Sequence, residues 1–295
     1  MKQFSIYVFK ILAVVFVSMY MLDKLYTYTF QNGTPRNKIQ KILKLQDAHY
    51  DYAFFGSSRT ENHIDCELIE QLTGKSCVNF GISGGTNGDM LTLMILAESN
   101  KITFDNVVLQ VDHNFNLRGL SNNFKASLVP FIFNDDVKQE LKKDKNNFYY
   151  YNIPFYRYLK YDKVVGFREL LSTILNKKPK THLDVGFNPK VGVGKGVSGA
   201  IPFIINKENE EIESIIKLMK KRGTNLTFFT APYCKDIENR DRLRALKTRV
   251  PSLLDYVSIF DDKEKYFYNC GHLNIEGAEE FTNILIKDIY SFKTN

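Results

Sequence analysis

The chain has 295 residues, 44% hydrophobic and 25% charged, a balance that allows a sizeable globular core. Its formal charge of +7 comes from lysines scattered along the length, without basic runs or aromatic-interleaved basic patches. That argues against nucleic-acid binding and fits an anionic membrane surface or envelope polymer.

From Phe4 to Leu22 the sequence is apolar apart from Lys10, and as a helix it covers about 28 Å, enough to cross a bilayer. No small-x-small cleavage site follows, because Asp23, Lys24, Tyr26, Tyr28 and Phe30 come next. Residues 1–30 are therefore expected to be a single-pass transmembrane anchor with its flanks. Lys24, Arg36, Lys38 and Lys41 blur the positive-inside signal, so orientation rests on the chemistry below. Residues 31–50 are expected to be a lead-in, opened by the turn-rich linker Gln31–Pro35.

The body, residues 51–295, alternates short apolar runs with stretches of helical spacing. Strands are expected at Asp51–Phe55, Ser76–Phe80, Asn106–Val111, Asn225–Thr230 and Tyr256–Phe260. Helices are expected at Asp65–Leu72, Asp89–Ser99, Lys207–Lys221, Asn239–Arg249 and Ile275–Tyr290. The alternation implies an α/β fold, a central parallel sheet covered on both faces with its crevice at the carboxyl ends of the strands. Residues 115–206 break the rhythm and are expected to form an insertion overhanging that crevice, helical over Asp162–Leu175. Its Gly192–Gly196 stretch suggests a mobile loop rather than a nucleotide site.

Four cysteines, Cys66, Cys77, Cys234 and Cys270, form no C-x-x-C pair and no cluster with histidine at metal-ligand spacing. No metal and no cofactor is expected, while free thiols and a disulfide both remain open.

Four loops at the ends of these elements carry the candidate groups. Ser57 and Ser58 come after the first strand, Gly84 after the second, Asn114 after the third, and His272 stands before the final helix. Together they supply what acyl transfer needs: a nucleophile in Ser58, a base in His272, and oxyanion donors in the Ser58 and Gly84 backbone N–H groups and the Asn114 amide. Arg59 can solvate the rim, pair with a carboxylate or hold an anionic substrate group; His113 can touch substrate or bond within the fold. His49, His63 and His182 have no assigned role.

In Gly56-Ser57-Ser58, Ile82-Ser83-Gly84, Asn114, and His272 followed by Leu273-Asn274, the chain resembles the SGNH, or GDSL-like, hydrolase superfamily, with motifs in the family's order from about Asp51 to Ile289. The resemblance implies a three-layer, flavodoxin-like sandwich. It also implies a serine esterase or O-acyltransferase working through an acyl-enzyme on an acylated cell-envelope glycan or another ester, with the domain outside the membrane. Where the family has aspartate three residues before the histidine, this chain has Asn269. In serine proteases the equivalent exchange lowers turnover about 10⁴-fold. Asp261 or Asp262 can substitute, the site can run as a Ser-His dyad, or the domain can be a degenerate one that binds glycan or scaffolds an envelope complex.

Overall fold

The computed structural model describes residues 2–194 and 201–294, so Lys195 and Gly196 of the predicted mobile loop lie outside the described residues. The chain divides into two compact units. The first joins residues 1–44 to 122–180, and the second joins 45–121 to 181–295.

The second unit is built on a five-stranded parallel sheet. Its strands are β1 (His49–Phe55), β2 (Cys77–Asn79), β3 (Thr103–Gln110), β4 (Asn225–Thr230) and β5 (Leu253–Asp255), in the order β2-β1-β3-β4-β5. Tyr52 to Phe55, Val107 to Leu109 and Phe228–Phe229 are buried, as the continuous apolar runs of a doubly covered sheet require. The helices Cys66–Thr73 and Ile275–Thr294 contact each other, as do Asn87–Ser99 and Glu210–Arg222, the pairing that two covered faces produce. Local capping fixes their starts. Thr86 and Asp89 form a reciprocal capping box, and the Asp65 and Asn209 side chains accept from the first-turn amides of their helices. Because the chain leaves β1 for β2 on one side and returns to β3 on the other, the sheet's switch point lies between β1 and β3.

The first four strands fall where the apolar runs place them. The predicted strand Tyr256–Phe260 does not form; β5 precedes it, and residues 257–260 are turns. Tyr256, Val257 and Phe260 are buried at a turn-like spacing rather than by alternation, and their neighbours bond locally, Ile259 N to Tyr256 O and Asp261 N to Ser258 O. The predicted helix Asn239–Arg249 is a 3₁₀ helix, Arg240–Thr248. Beyond the sheet, a small hairpin pairs β6 (Phe267–Asn269) with β7 (His272–Leu273).

Both disulfides belong to this unit. Cys66–Cys77 joins a helix to β2, and Cys234–Cys270 joins the loop after β4 to the β6–β7 turn.

The first unit is helical. The helix Lys2–Asn32 is long and apolar enough to cross a membrane, and the large apolar side chains over Phe4–Leu22 are exposed. It runs without a break into the predicted linker, whose Gln31 and Asn32 are still helical. Burial begins at Asp23 and continues at Tyr26, Thr27 and Phe30. There Arg157 Nη2 meets Asp23 Oδ1 at 2.7 Å and Thr27 Oγ1 at 2.8 Å, and Tyr26 packs edge-on against Phe155. Residues 122–180 of the predicted insertion thus group with the N-terminal helix, while 115–121 and 181–206 stay with the sheet. The predicted helix Asp162–Leu175 is two short ones, Asp162–Val165 and Phe167–Ile174, broken at Gly166.

Candidate active site

Chain direction at the end of β1 is set by contact as much as by turn chemistry. At Gly56, φ +152°, a Cβ would collide with Thr60 Oγ1 and lie 2.7 Å from Gln110 Oε1. Ser57 then fastens itself to Gln110 at the end of β3, its N–H and hydroxyl donating to Oε1 at 2.7 and 2.8 Å. Ser57 also caps the short helix Ser58–His63, leaving Ser58, half-buried, at its first position.

Ser58 Oγ lies 2.8 Å from His272 Nε2. The imidazole's orientation comes from the β6–β7 turn. Asn269 Oδ1 accepts from the backbone N–H of Gly271 (3.1 Å) and His272 (3.0 Å), which fixes the amide with its oxygen inward, and His272 Nδ1 lies 3.2 Å from the same oxygen. Nδ1 therefore carries the proton, and Nε2 presents its lone pair to the serine hydroxyl. Burial lowers the His272 pKa to about 4, helped by the positive charges of Arg59, Lys190 and His113 and opposed by Asp112. At neutral pH the ring is uncharged, the state a general base requires.

Neither predicted substitute carboxylate serves this ring. Asp261 is held bidentately by Arg240, with Nη2 to Oδ2 at 2.8 Å, and Asp262 is exposed.

Arg59 is not on the rim. It is 1% exposed and lies inside the unit, where it ties three loops together. Its Nε faces Asp112 Oδ2 at 2.9 Å after β3. Nη2 donates to Ala231 O (2.6 Å) and Pro232 O (2.9 Å) after β4, and Nη1 donates to Gly271 O (3.0 Å) beside His272. The guanidinium also stacks on Tyr233, 3.3 Å from the ring centroid. Of its predicted roles only the carboxylate pair is realised; a buried guanidinium whose Nη atoms are taken by carbonyls and whose Nε faces Asp112 cannot take a substrate anion. Burial pushes the Asp112 carboxyl up, but Arg59 and then His113 outweigh it and hold it well below the usual range. His113, partly exposed, has Nδ1 2.6 Å from Asp112 Oδ1 and 2.9 Å from the Tyr233 hydroxyl. Its bonds are thus within the fold, while part of its ring remains accessible.

His63, one helical turn after Arg59, accepts from Leu273 N through Nε2 at 3.0 Å, and burial keeps it neutral, well below the ordinary imidazole pKa. The serine helix consequently grips the peptide on both sides of His272, at Gly271 O and at Leu273 N. The Cys234–Cys270 disulfide, Cα–Cα 4.7 Å, fixes the same turn to the loop carrying Tyr233.

Of the predicted oxyanion donors, Gly84 occupies an exposed left-handed position, φ +71°, in a loop tied to the serine by Ile82 N donating to Gly56 O at 2.9 Å. Asn114 is fully buried. Its Oδ1 accepts from Asp112 N at 3.0 Å, while its Nδ2 has no hydrogen-bond partner. An unpaired buried donor costs about 1–3 kcal/mol, so its retention suits a group that bonds only when a charge develops beside it.

Gln110, Asp112, Tyr233 and His63 were not assigned from sequence. Gln110 alone left a trace, as a polar residue within the expected apolar strand Asn106–Val111. Among the described residues, His49, Asp51 and Asp105 bring possible metal ligand atoms within 4.8 Å, at the amino ends of β1 and β3. There Asp51 already pairs with Ser76 and Lys75, and His49 with Thr103.

No family model and no curated protein matches the sequence. Among solved structures, the chain is similar to one described as a candidate platelet activating factor from Streptococcus pneumonia, at 13% identity and a TM-score of 0.42, covering 96% of this chain and 98% of that one.

Proposed function

We propose that this chain is a membrane-anchored serine esterase or O-acyltransferase of the SGNH type, acting on an acylated envelope glycan through an acyl-enzyme. Ser58 Oγ attacks the ester carbonyl as its proton passes to His272 Nε2. The tetrahedral oxyanion is met by Asn114 Nδ2 and by the backbone N–H groups of Ser58 and Gly84. Collapse breaks the bond to the leaving alcohol, which takes the proton from His272. Water or a sugar hydroxyl, deprotonated by the same ring, then releases the acyl group. The observation that carries this reading is the 2.8 Å contact between Ser58 and a neutral imidazole whose tautomer Asn269 fixes.

The N-terminal helix supports a single-pass anchor, and two disulfides in the sheet unit support a domain facing an oxidising, extracytoplasmic space. The glycan substrate is implied by the resemblance to anchored SGNH relatives.

A fluorophosphonate probe applied to the full chain tests the chemistry. Wild type should be labelled and Ser58→Ala should not, with ester turnover falling about 10⁴-fold or more. Unlabelled wild type would end the enzymatic reading. The alternative, a degenerate glycan-binding domain, is favoured by Asn269; it predicts polysaccharide binding without acyl turnover, even in Asn269→Asp.

A further inference from the structure

Lysines that look scattered in the sequence are sorted by the fold. The unit formed by residues 1–44 and 122–180 holds 19 Lys and Arg against 7 Asp and Glu, a net +12, whereas the sheet unit holds 21 against 26, a net −5. Part of that excess, Lys24 and Arg157, lies at the end of the apolar span. Asp23, the first residue after Leu22, accepts from Phe155 N (2.9 Å) and Arg157 Nη2 (2.7 Å), and Thr27 meets the Tyr158 hydroxyl at 2.8 Å. The segment 155–158 is thereby pinned at the level where the span ends. At that level Phe133 is 63% exposed with Arg157 and Lys24 within 6.0 Å of its ring, and Leu159 is 58% exposed. Phe133 also packs edge-on against Tyr151, which lines a cleft of about 750 Å³ with Lys138, Lys142 and Lys143, three ammonium groups against the single carboxylate of Asp135.

We propose that this unit lies on the headgroup layer of an anionic phospholipid bilayer, with Phe133 and Leu159 entering the interface and the Lys138, Lys142 and Lys143 cleft receiving lipid phosphate. Charge complementarity and continuity with the span select a membrane over a soluble partner: apolar side chains flanked by lysines, at the depth where a helix leaves the hydrocarbon, are the composition of an interfacial surface. The proposal rests on Phe4–Leu22 being a membrane span.

The chain contains no tryptophan, so each introduced indole reports its own depth. Full-length Phe16→Trp, Phe133→Trp, Leu159→Trp and Phe167→Trp would each be reconstituted in vesicles of phosphatidylcholine and phosphatidylglycerol containing a brominated phospholipid. Phe16→Trp should be quenched as a span position. Phe133→Trp and Leu159→Trp should be quenched as well, less so when phosphatidylglycerol is omitted or when Lys138, Lys142 and Lys143 are changed to Glu. Phe167→Trp should stay bright. Its helix meets the chain just past the end of the N-terminal helix, Arg36 to Glu169 at 2.6 Å, and that helix ends at Asn32, nine residues past Asp23, a helical rise of about 13 Å beyond the span's end. Quenching at Phe16 without quenching at Phe133 and Leu159 would overturn the surface and leave the anchor standing. No quenching at Phe16 would remove both.

Discussion

The two units solve the burial of charge in opposite ways. In the sheet unit, the Arg59–Asp112 pair is sealed in the interior, and the guanidinium gathers carbonyls and a ring from loops that are distant in sequence. In the helical unit, whose net +12 exceeds the +7 of the whole chain, most Lys and Arg side chains are exposed, and the buried Asp23–Arg157 pair fastens one helix to one segment. A buried ion pair seldom adds stability over an apolar replacement, but it fixes an arrangement because breaking it is costly. In the proposed reading, the first arrangement holds the Ser58–His272 site and the second sets the depth of an interfacial surface.

That contrast is tested most strongly at Arg59. Arg59→Met leaves Asp112 buried without its guanidinium partner and should destabilise the sheet unit by about 3–5 kcal/mol, with loss of fluorophosphonate labelling. Combining it with Asp112→Leu should recover most of the stability in thermal melts without recovering labelling, because the grip on Gly271 is still missing. Recovery of both would mean that Arg59 does nothing for the site. Next in size is the Cys234–Cys270 bridge, which closes a loop of 36 residues. Replacing both cysteines by serine should cost about 4 kcal/mol on the chain-entropy account. The sheet unit's melting should fall and Ser58 labelling should slow, while protease resistance of residues 122–180, a segment without cysteine, stays unchanged. Smaller again is Asp23→Ala, which removes one charged partner of Arg157 at roughly 1.5–3 kcal/mol. Limited proteolysis within 122–180 should quicken while labelling of Ser58 holds; a fall in labelling would break the separation between the units.

Much of this was legible. Buried parallel strands are continuous apolar runs, so four of the five could be placed, and with them the loops bearing Ser58, Gly84 and Asn114. The pairing of Ser58 with His272 followed from motif order. What was hidden depended on contacts between distant residues. Arg59, beside a nucleophile, looked like a rim group because nothing local shows that Asp112, Ala231 and Gly271 converge on it. The split into units was invisible for the same reason, since Asp23 and Arg157 are 134 positions apart. Tyr256–Phe260 misled because an apolar run does not say whether its backbone bonds go to a neighbouring strand or to its own turn.

The smallest expected effect concerns Asn269. In the proposed mechanism neutral His272 is the active form, and burial lowers its pKa to about 4, so turnover should fall as pH drops through about 4 and remain level toward neutrality, with no inflection near 6.5. Asn269→Asp places a negative charge beside the ring, favours the imidazolium and must raise that pKa, so the acid limb should move toward neutral pH. The gain in rate at pH 7 should nevertheless remain far below the 10⁴ lost by the reverse exchange in serine proteases, where the amide leaves the histidine in the wrong tautomer. Here two backbone N–H groups, Gly271 and His272, already hold the amide oxygen toward Nδ1, so the tautomer is correct without a carboxylate and only the charge is added. A pH-rate profile of both forms decides the matter: a gain approaching 10⁴ would mean that the pinned amide does not orient the base at all.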